Sequence, residues 1–310
     1  MTMASAGSTS DRHRERRAPK RPQSRLAERW TTVDGVDVFY RESADPPPGA
    51  PAMMHVHGFG LSGHYLLPTA ELLEDEFHTL VPDLPGFGRS GRRPRRELDV
   101  PDLAHAALRF LDDRGIERVT LVGNSMGCPV ICEFAHLYPD RLDRAVLVSP
   151  AGGLHNQPLV RAMAQLARDG GREPKNMVGV AAPDYFRFGL TSTAKMFSAL
   201  MRYPTLERLL TLPVPTLAVI GDRDPLMPDL DRVHDVVSHI DTHVLVVVIE
   251  GAAHAINFSH PGELAHVIRQ FMADAPITDD PDSPGRAKVV ELHRGTSHPG
   301  RGAPPASAQP

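Results

Sequence analysis

The sequence predicts an α/β protein, a mostly parallel sheet with helices on both faces and a helical insertion. Three observations carry this. Short apolar runs, most rich in β-branched residues, recur at Ala52–Val56, Leu80–Val81, Val119–Val122, Ala145–Val148, Leu217–Ile220 and Val244–Ile249. Such runs suit strands buried on both faces. Helix-period stretches lie between them, and strand–helix alternation builds parallel sheets. One long stretch, 151–212, has no strand-like run, is rich in Met, Phe, Tyr and Ala, and ends at Pro213-Val214-Pro215. A structureless loop of that length is unusual in a compact domain, so it reads as a helical cap.

The elements follow in order. Residues 1–29 read as a disordered tail. Met1–Ser10 is mostly Ser, Thr, Gly and Ala, and Asp11–Arg29 carries eight Lys/Arg against three Asp/Glu. The pair Arg16-Arg17 lacks the apolar stretch that an export signal needs. The first part of the core spans 30–150. Val36–Tyr40 alternates like an exposed strand. Asp99 is placed to cap a helix whose Leu103, Ala107, Leu108 and Leu111 share a face, and Gly115 stops it. Val130, Ile131, Phe134 and Tyr138 mark a second, largely apolar helix that Pro139 ends. The second part of the core spans 213–275 and closes with a helix through Leu264, Val267, Ile268, Phe271 and Met272. Residues 276–310, rich in Pro, Gly, Asp and Ser and interrupted chiefly at Lys288–Leu292, read as a second disordered tail.

Composition narrows the function. Among 310 residues, 34 Lys+Arg stand against 38 Asp+Glu, a net charge of −4 that argues against a nucleic-acid partner. Two cysteines cannot frame a disulfide scaffold and suit a reducing cytoplasm. No apolar run approaches eighteen residues, so no membrane span is expected.

The chemistry centres on Gly123-Asn124-Ser125-Met126-Gly127, with an apolar strand before it and an apolar helix after it. That context fits a nucleophile elbow with Ser125 at its apex. An activated serine needs a base. His254 follows the last buried strand, on the same sheet edge as Ser125, with His57 as the rival. Asp224, past the end of the preceding strand, is the favoured orienting carboxylate, and Asp222 is the alternative. The backbone N–H groups of Met126 and Phe59 would hold an oxyanion. Gly58 and Asn124 are candidate substrate contacts. Cys128 and Cys132 read as packed thiols, with Cys128 near enough to the site to meet covalent reagents. No metal, nucleotide or other cofactor is implied.

These motifs resemble those of the α/β-hydrolase superfamily. His57-Gly58-Phe59-Gly60 is similar to its HGxG loop, and Asp83-Leu-Pro-Gly-Phe-Gly-Arg-Ser90 to its D-x-P-G-x-G-x-S segment. Gly123–Gly127 matches the elbow, Gly221–Asp224 the acid loop and Gly251–His254 the histidine loop. The resemblance spans roughly Trp30–Ala275. It implies an eight-stranded-type sheet, a helical cap and a cofactor-independent serine hydrolase. Ser125, Asp224 and His254 would form the triad. The expected substrate is a small, fairly apolar ester, lactone or thioester, cleaved through an acyl-enzyme. Gly123–Gly127 and Ser149-Pro-Ala-Gly-Gly153 are also similar to C–C hydrolases of meta-cleavage products. In that group the oxyanion loop usually continues G-x-G-P-G-A and Trp follows the histidine, whereas here Gly58-Phe-Gly-Leu-Ser-Gly63 and Ala255 stand. C–C hydrolysis, acyl transfer or perhydrolysis, and ligand binding without turnover are the alternatives.

Overall fold

The computed structural model describes residues 26–91, 99–150, 172–226 and 244–289. The tails over 1–25 and 290–310, and the first part of the expected cap over 151–171, lie outside these residues. Among the described residues nine strands form a single sheet. They are β1 (Leu26–Val33), β2 (Val36–Ser43), β3 (Ala52–Val56), β4 (His78–Pro82), β5 (Val119–Asn124), β6 (Leu142–Val148), β7 (Thr216–Gly221), β8 (Val244–Ile249) and β9 (Ala287–Val289). Their spatial order is β1-β2-β4-β3-β5-β6-β7-β8-β9. The six central strands from β4 to β8 pair in parallel, while β1, β2 and β9 pair antiparallel. Every parallel strand therefore points its C-terminal end at one edge of the sheet, and the loops that leave that edge can converge.

The central strands are apolar because both faces are covered. On one face Met54, Leu121, Ala145 and Leu147 join a cluster with α2 (Val100–Asp113) and α3 (Gly127–Leu137). On the other Met53, Val122, Val146, Val148, Leu217 and Val247 pack against α8 (Pro261–Met272) and the end of α1 (Leu67–Leu73). Neighbouring residues of one strand thus enter different cores, as the two-residue period of a strand requires. The start of α2 follows from its sequence. Asp99 accepts from the Asp102 N–H at 3.0 Å, and the Asp102 side chain answers by accepting from the Asp99 N–H. Such a reciprocal box satisfies two otherwise orphaned donors. Gly115, at φ +67, ends the helix with a bond to the Asp112 carbonyl.

Both edges of the sheet depart from expectation. The tail read over 1–29 gives way to a strand at Leu26, so the core begins four residues before Trp30. β1 shields β2, which is largely buried and is not the exposed strand its alternation suggested. Within the tail read over 276–310, β9 pairs with Val247–Ile249. Asp279 fixes the approach by accepting from the N–H groups of Gly285 and Ala287 at 2.7 and 2.8 Å. Lys288 and Val289, at the start of the interruption noted there, belong to this strand. Among the described residues the sheet, of the expected mostly parallel type, has nine strands.

The described part of the insertion is helical. It contains α4 (Met177–Phe188), α5 (Leu190–Arg202) and α6 (Thr205–Leu210). Phe188, Met196, Leu200 and Leu212 continue the same apolar cluster as α2 and α3, so this segment is packed onto the domain. A last short helix, α7 (Ile256–Ser259), precedes α8. Among the described residues no helix is long and apolar enough to cross a membrane.

Candidate active site

β5 ends at Asn124 and α3 begins at Gly127, so the chain reverses within two residues. The reversal forces Ser125 to φ +55, in the left-handed region. A non-glycine residue held there costs of order 1–3 kcal/mol and persists only when its surroundings over-determine it. They do here. A Cβ on Gly123 would lie 2.7 Å from the Gly127 carbonyl carbon, and one on Gly127 would run into the Val56 carbonyl oxygen. The Ser125 N–H donates to the Val148 carbonyl at 3.0 Å. Only glycine fits at 123 and 127, and the serine takes the strain.

The acid and histidine loops are pressed together. A Cβ on Gly221 would strike the Ala252 carbonyl, and the Arg223 N–H donates to that same oxygen at 3.0 Å. In this contact Asp224 Oδ2 accepts from His254 Nδ1 at 2.8 Å, and Asp224 Oδ1 accepts from the Leu226 N–H at 2.9 Å. Burial works to raise the Asp224 carboxyl, but the charge of His254 and the hydrogen bonds override it and hold the carboxyl below its ordinary value. The alternative acid is occupied elsewhere, for Asp222 Oδ1 accepts from the Gly251 N–H at 2.7 Å. Of the two carboxylates it is Asp224 that meets His254.

Two buried side chains tie this pair to the Ser125 turn and to the loop at Gly58. Asn124 Nδ2 donates to the carbonyls of His254 and Val148 at 3.0 and 3.2 Å. Its Oδ1 accepts from the Tyr65 hydroxyl at 2.7 Å, and that hydroxyl accepts from the Gly58 N–H at 2.8 Å. Burial keeps the Tyr65 phenol well above its ordinary pKa, so it retains the proton it donates. Gly58 itself lies against Ser125. A methyl group there would sit 3.3 Å from Ser125 Cβ. Ser125, Asp224, His254, Gly58 and Asn124 are therefore gathered in one place. Asn124 is 2% exposed and its polar atoms are engaged within the protein, so it stands as a brace and not as a substrate contact. The Gly58 N–H is likewise taken up, which leaves Gly58 only its small backbone to offer a substrate. Among the described residues no protein acceptor takes up the N–H of Phe59 or of Met126.

His57, the rival base, has a different position. It is fully buried, its Nε2 accepts from the Leu84 N–H at 3.0 Å, and its Nδ1 therefore carries the proton and donates to the Gly58 carbonyl at 3.0 Å. Both nitrogens are committed to holding two loops, and burial lowers its pKa. The two cysteines are packed as expected. Cys128 Sγ lies 3.2 Å from the Gly123 carbonyl. Burial raises the Cys128 thiol well above its ordinary value and pushes Cys132 up to about 12, so neither offers a thiolate to a covalent reagent. Among the described residues no group of three His, Cys, Asp or Glu is placed to hold a metal ion.

Sequence reading missed Tyr65, Asp83 as a scaffold, and the contribution of the insertion. Asp83 Oδ1 accepts from the Gly63 N–H and Oδ2 from the Arg89 N–H, each at 2.8 Å, so this carboxylate joins the glycine-rich segment after β4 to the loop after β3. The motif around Asp83 was visible; its target, twenty residues upstream, was not.

One buried histidine makes a stability prediction. His55 lies in the core on β3, and burial lowers its pKa from 6.5 to about 3. Its folded-state pKa is depressed, so its contribution is fully present above the unfolded pKa and is lost as pH falls from about 6.5 toward 3. At pH 5 the unfolded chain gains about 2 kcal/mol from protonating this residue while the folded chain does not. His55→Met, beside Met53 and Met54, is expected to flatten the fall of Tm between pH 7 and pH 5. An unchanged slope would show that the acid sensitivity resides elsewhere.

Residues 53–267 match the model of the Alpha/beta hydrolase family. A Mycobacterium tuberculosis protein is 33% identical over 137 residues, which cover 44% of this chain and only 39% of that relative's length. A poly(3-hydroxyalkanoate) depolymerase of Ectopseudomonas oleovorans is 27% identical over 204 residues, 58% of this chain and 72% of the relative. The crystal structure of a bacterial membrane phospholipase A superposes with a TM-score of 0.69 at 24% identity, over 81% of this chain and 87% of that chain. The last is a likeness of fold.

Proposed function

Because the chain belongs to the α/β-hydrolase family, we propose that it is a serine hydrolase acting on a small, fairly apolar carboxylic ester, lactone or thioester. The observation that carries this reading is the Asp224–His254 hydrogen bond, held beside a serine at a strained strand-to-helix turn. In the reaction Ser125 Oγ attacks the substrate carbonyl and His254 Nε2 takes its proton. Asp224 keeps the other ring nitrogen protonated and stabilises the imidazolium that forms. Negative charge developing on the carbonyl oxygen meets the N–H groups of Phe59 and Met126, at the N-terminal end of α3, where the helix dipole favours an anion. His254 then protonates the leaving group. In the second half-reaction it activates a water, which releases the acid and frees Ser125.

An apolar substrate is in keeping with the aromatic side chains around the oxyanion loop. Phe59 packs edge-on against Phe188 and Phe197 of the insertion, with centroids 5.6 Å away in each case. Phe87 stacks on Phe188 at 4.6 Å. The departures at Gly58–Gly63 and Ala255 speak against C–C hydrolysis, and the ester class is the better supported of the two. The depolymerase named among the relatives agrees with a hydrolytic reaction.

The test is labelling with a fluorophosphonate, followed by kinetics on p-nitrophenyl esters of graded acyl length. The wild type should label at one serine and prefer medium acyl chains. A protein that folds, neither labels nor hydrolyses any ester, and yet binds an apolar ligand would mark a binding protein on a hydrolase fold.

A further inference from the structure

Two consecutive backbone N–H groups just past the oxyanion loop each end on a carboxylate. The Gly63 N–H donates to Asp83, which belongs to the sheet edge. The Ser62 N–H donates to Asp184 Oδ2 at 2.9 Å, and Asp184 belongs to α4, in the insertion, 122 residues away. The Ser62 hydroxyl donates to the same oxygen at 2.5 Å. Both residues are buried, Ser62 at 4% and Asp184 at 6% exposure. The second oxygen, Oδ1, faces the Arg187 guanidinium at 3.5 Å. Next to Asp184 the Tyr185 ring covers Gly60, which sits at φ +69 and has no room for a side chain on that side. The insertion therefore holds the loop over residues 58–63 at Gly60, at Ser62 and, through Phe188 and Phe197, at Phe59.

We propose that Asp184 is a positioning residue for the reaction. Its carboxylate fixes Ser62, and through it the Phe59 N–H that would receive the oxyanion. This rests on the serine-hydrolase reading above. The physical case is that an oxyanion donor works only if it is in place before charge develops. The loop leading from Gly58 to Gly63 is short and glycine-rich, and its own backbone conformations are permissive. The Tyr65 hydroxyl anchors the loop at its Gly58 end. At the Ser62 end the anchor is a buried ionic acceptor with two donors on one oxygen, the stronger class of hydrogen bond. The insertion is then part of the catalytic geometry and does more than cover the substrate.

The test compares wild type, Asp184→Ala and Asp184→Asn by kcat and KM on a p-nitrophenyl ester, and by the rate of Ser125 labelling with a fluorophosphonate. A displacement of about 1 Å at a reacting centre costs up to about 100-fold in rate. Asp184→Ala is accordingly expected to lower kcat and the labelling rate by about 30- to 100-fold, with KM within about 3-fold of wild type. Asp184→Asn retains an acceptor for both Ser62 donors and should recover to within about 5-fold. A wild-type kcat in Asp184→Ala, a loss confined to KM, or an Asp184→Asn as impaired as the alanine variant would overturn the proposal. If Asp184→Ala does not fold, Ser62→Ala carries the test, since it removes one of the two bonds and keeps the other. It should lower kcat about 3- to 10-fold at unchanged KM, and an unchanged kcat would overturn the proposal as well. A wild type that neither labels nor turns over takes the serine-hydrolase reading down with it. A working wild type with an indifferent Asp184 removes only the role of Asp184.

Discussion

Ser125→Ala is expected to lower kcat by about 10⁶-fold, the scale of loss when a serine nucleophile is removed from a triad. The fold should hardly notice. Alanine keeps the Cβ that Ser125 places beside Gly58, and it also keeps the backbone N–H that donates to Val148. The strain of φ +55 stays as well, because alanine is no more at ease there than serine. Tm should therefore stay within about 2 °C of wild type. Loss of turnover with an unshifted melt assigns the effect to chemistry. A variant that retains more than about one percent of wild-type kcat would mean that another group is the nucleophile.

The second large effect separates two histidines. His254→Ala is expected to cost about 10⁴-fold or more in kcat with modest loss of stability. His57→Ala should reverse that balance. It strips a fully buried ring from between the Leu84 N–H and the Gly58 carbonyl; the Leu84 N–H loses its acceptor, and the carbonyl keeps only a long bond from the Leu61 N–H at 3.4 Å. It also removes the ring packed 5.0 Å from Phe87. A buried donor left unsatisfied costs about 1–3 kcal/mol, and the emptied volume adds to it. We expect about 3 kcal/mol of lost stability and, because the oxyanion loop loosens, about 10- to 100-fold in kcat. Chemical denaturation together with kinetics at a temperature where both variants are folded would measure the two separately. If a well-folded His57→Ala lost all turnover while His254→Ala kept it, the roles of the two residues would have to be exchanged.

Much of the central fold was legible from local pattern. β3 and β8 run over the same residues as their apolar runs, Ala52–Val56 and Val244–Ile249, because strands buried on both faces are apolar along nearly their whole length, with His55 the single polar residue of the two. The helix start at Asp99 was legible for a related reason, since a cap is a contact between residues three apart. The edges were not. β1 is buried only at its two ends, Leu26 and Val33, and carries charge at Glu28 and Arg29. β9 is three residues long and exists only because β8 offers it an edge. The site divides in the same way. Ser125, Asp224 and His254 sit at strand ends, where topology alone brings them to one side. Tyr65 and Asp184 reach their partners across 59 and 122 residues, and nothing near them in sequence marks those meetings.

The left-handed turn at Ser125 has a consequence beyond chemistry. Glycine would sit at that φ without strain, and serine does not. Selection for persistence of the fold and selection for turnover thus pull in opposite directions on one codon. A descendant of this chain whose substrate had vanished would drift toward glycine at 125, keeping the sheet, the glycine pair and the histidine loop around a tip with nothing to react. On the proposed serine-hydrolase reading, turnover is what repays the strain that serine imposes at that tip.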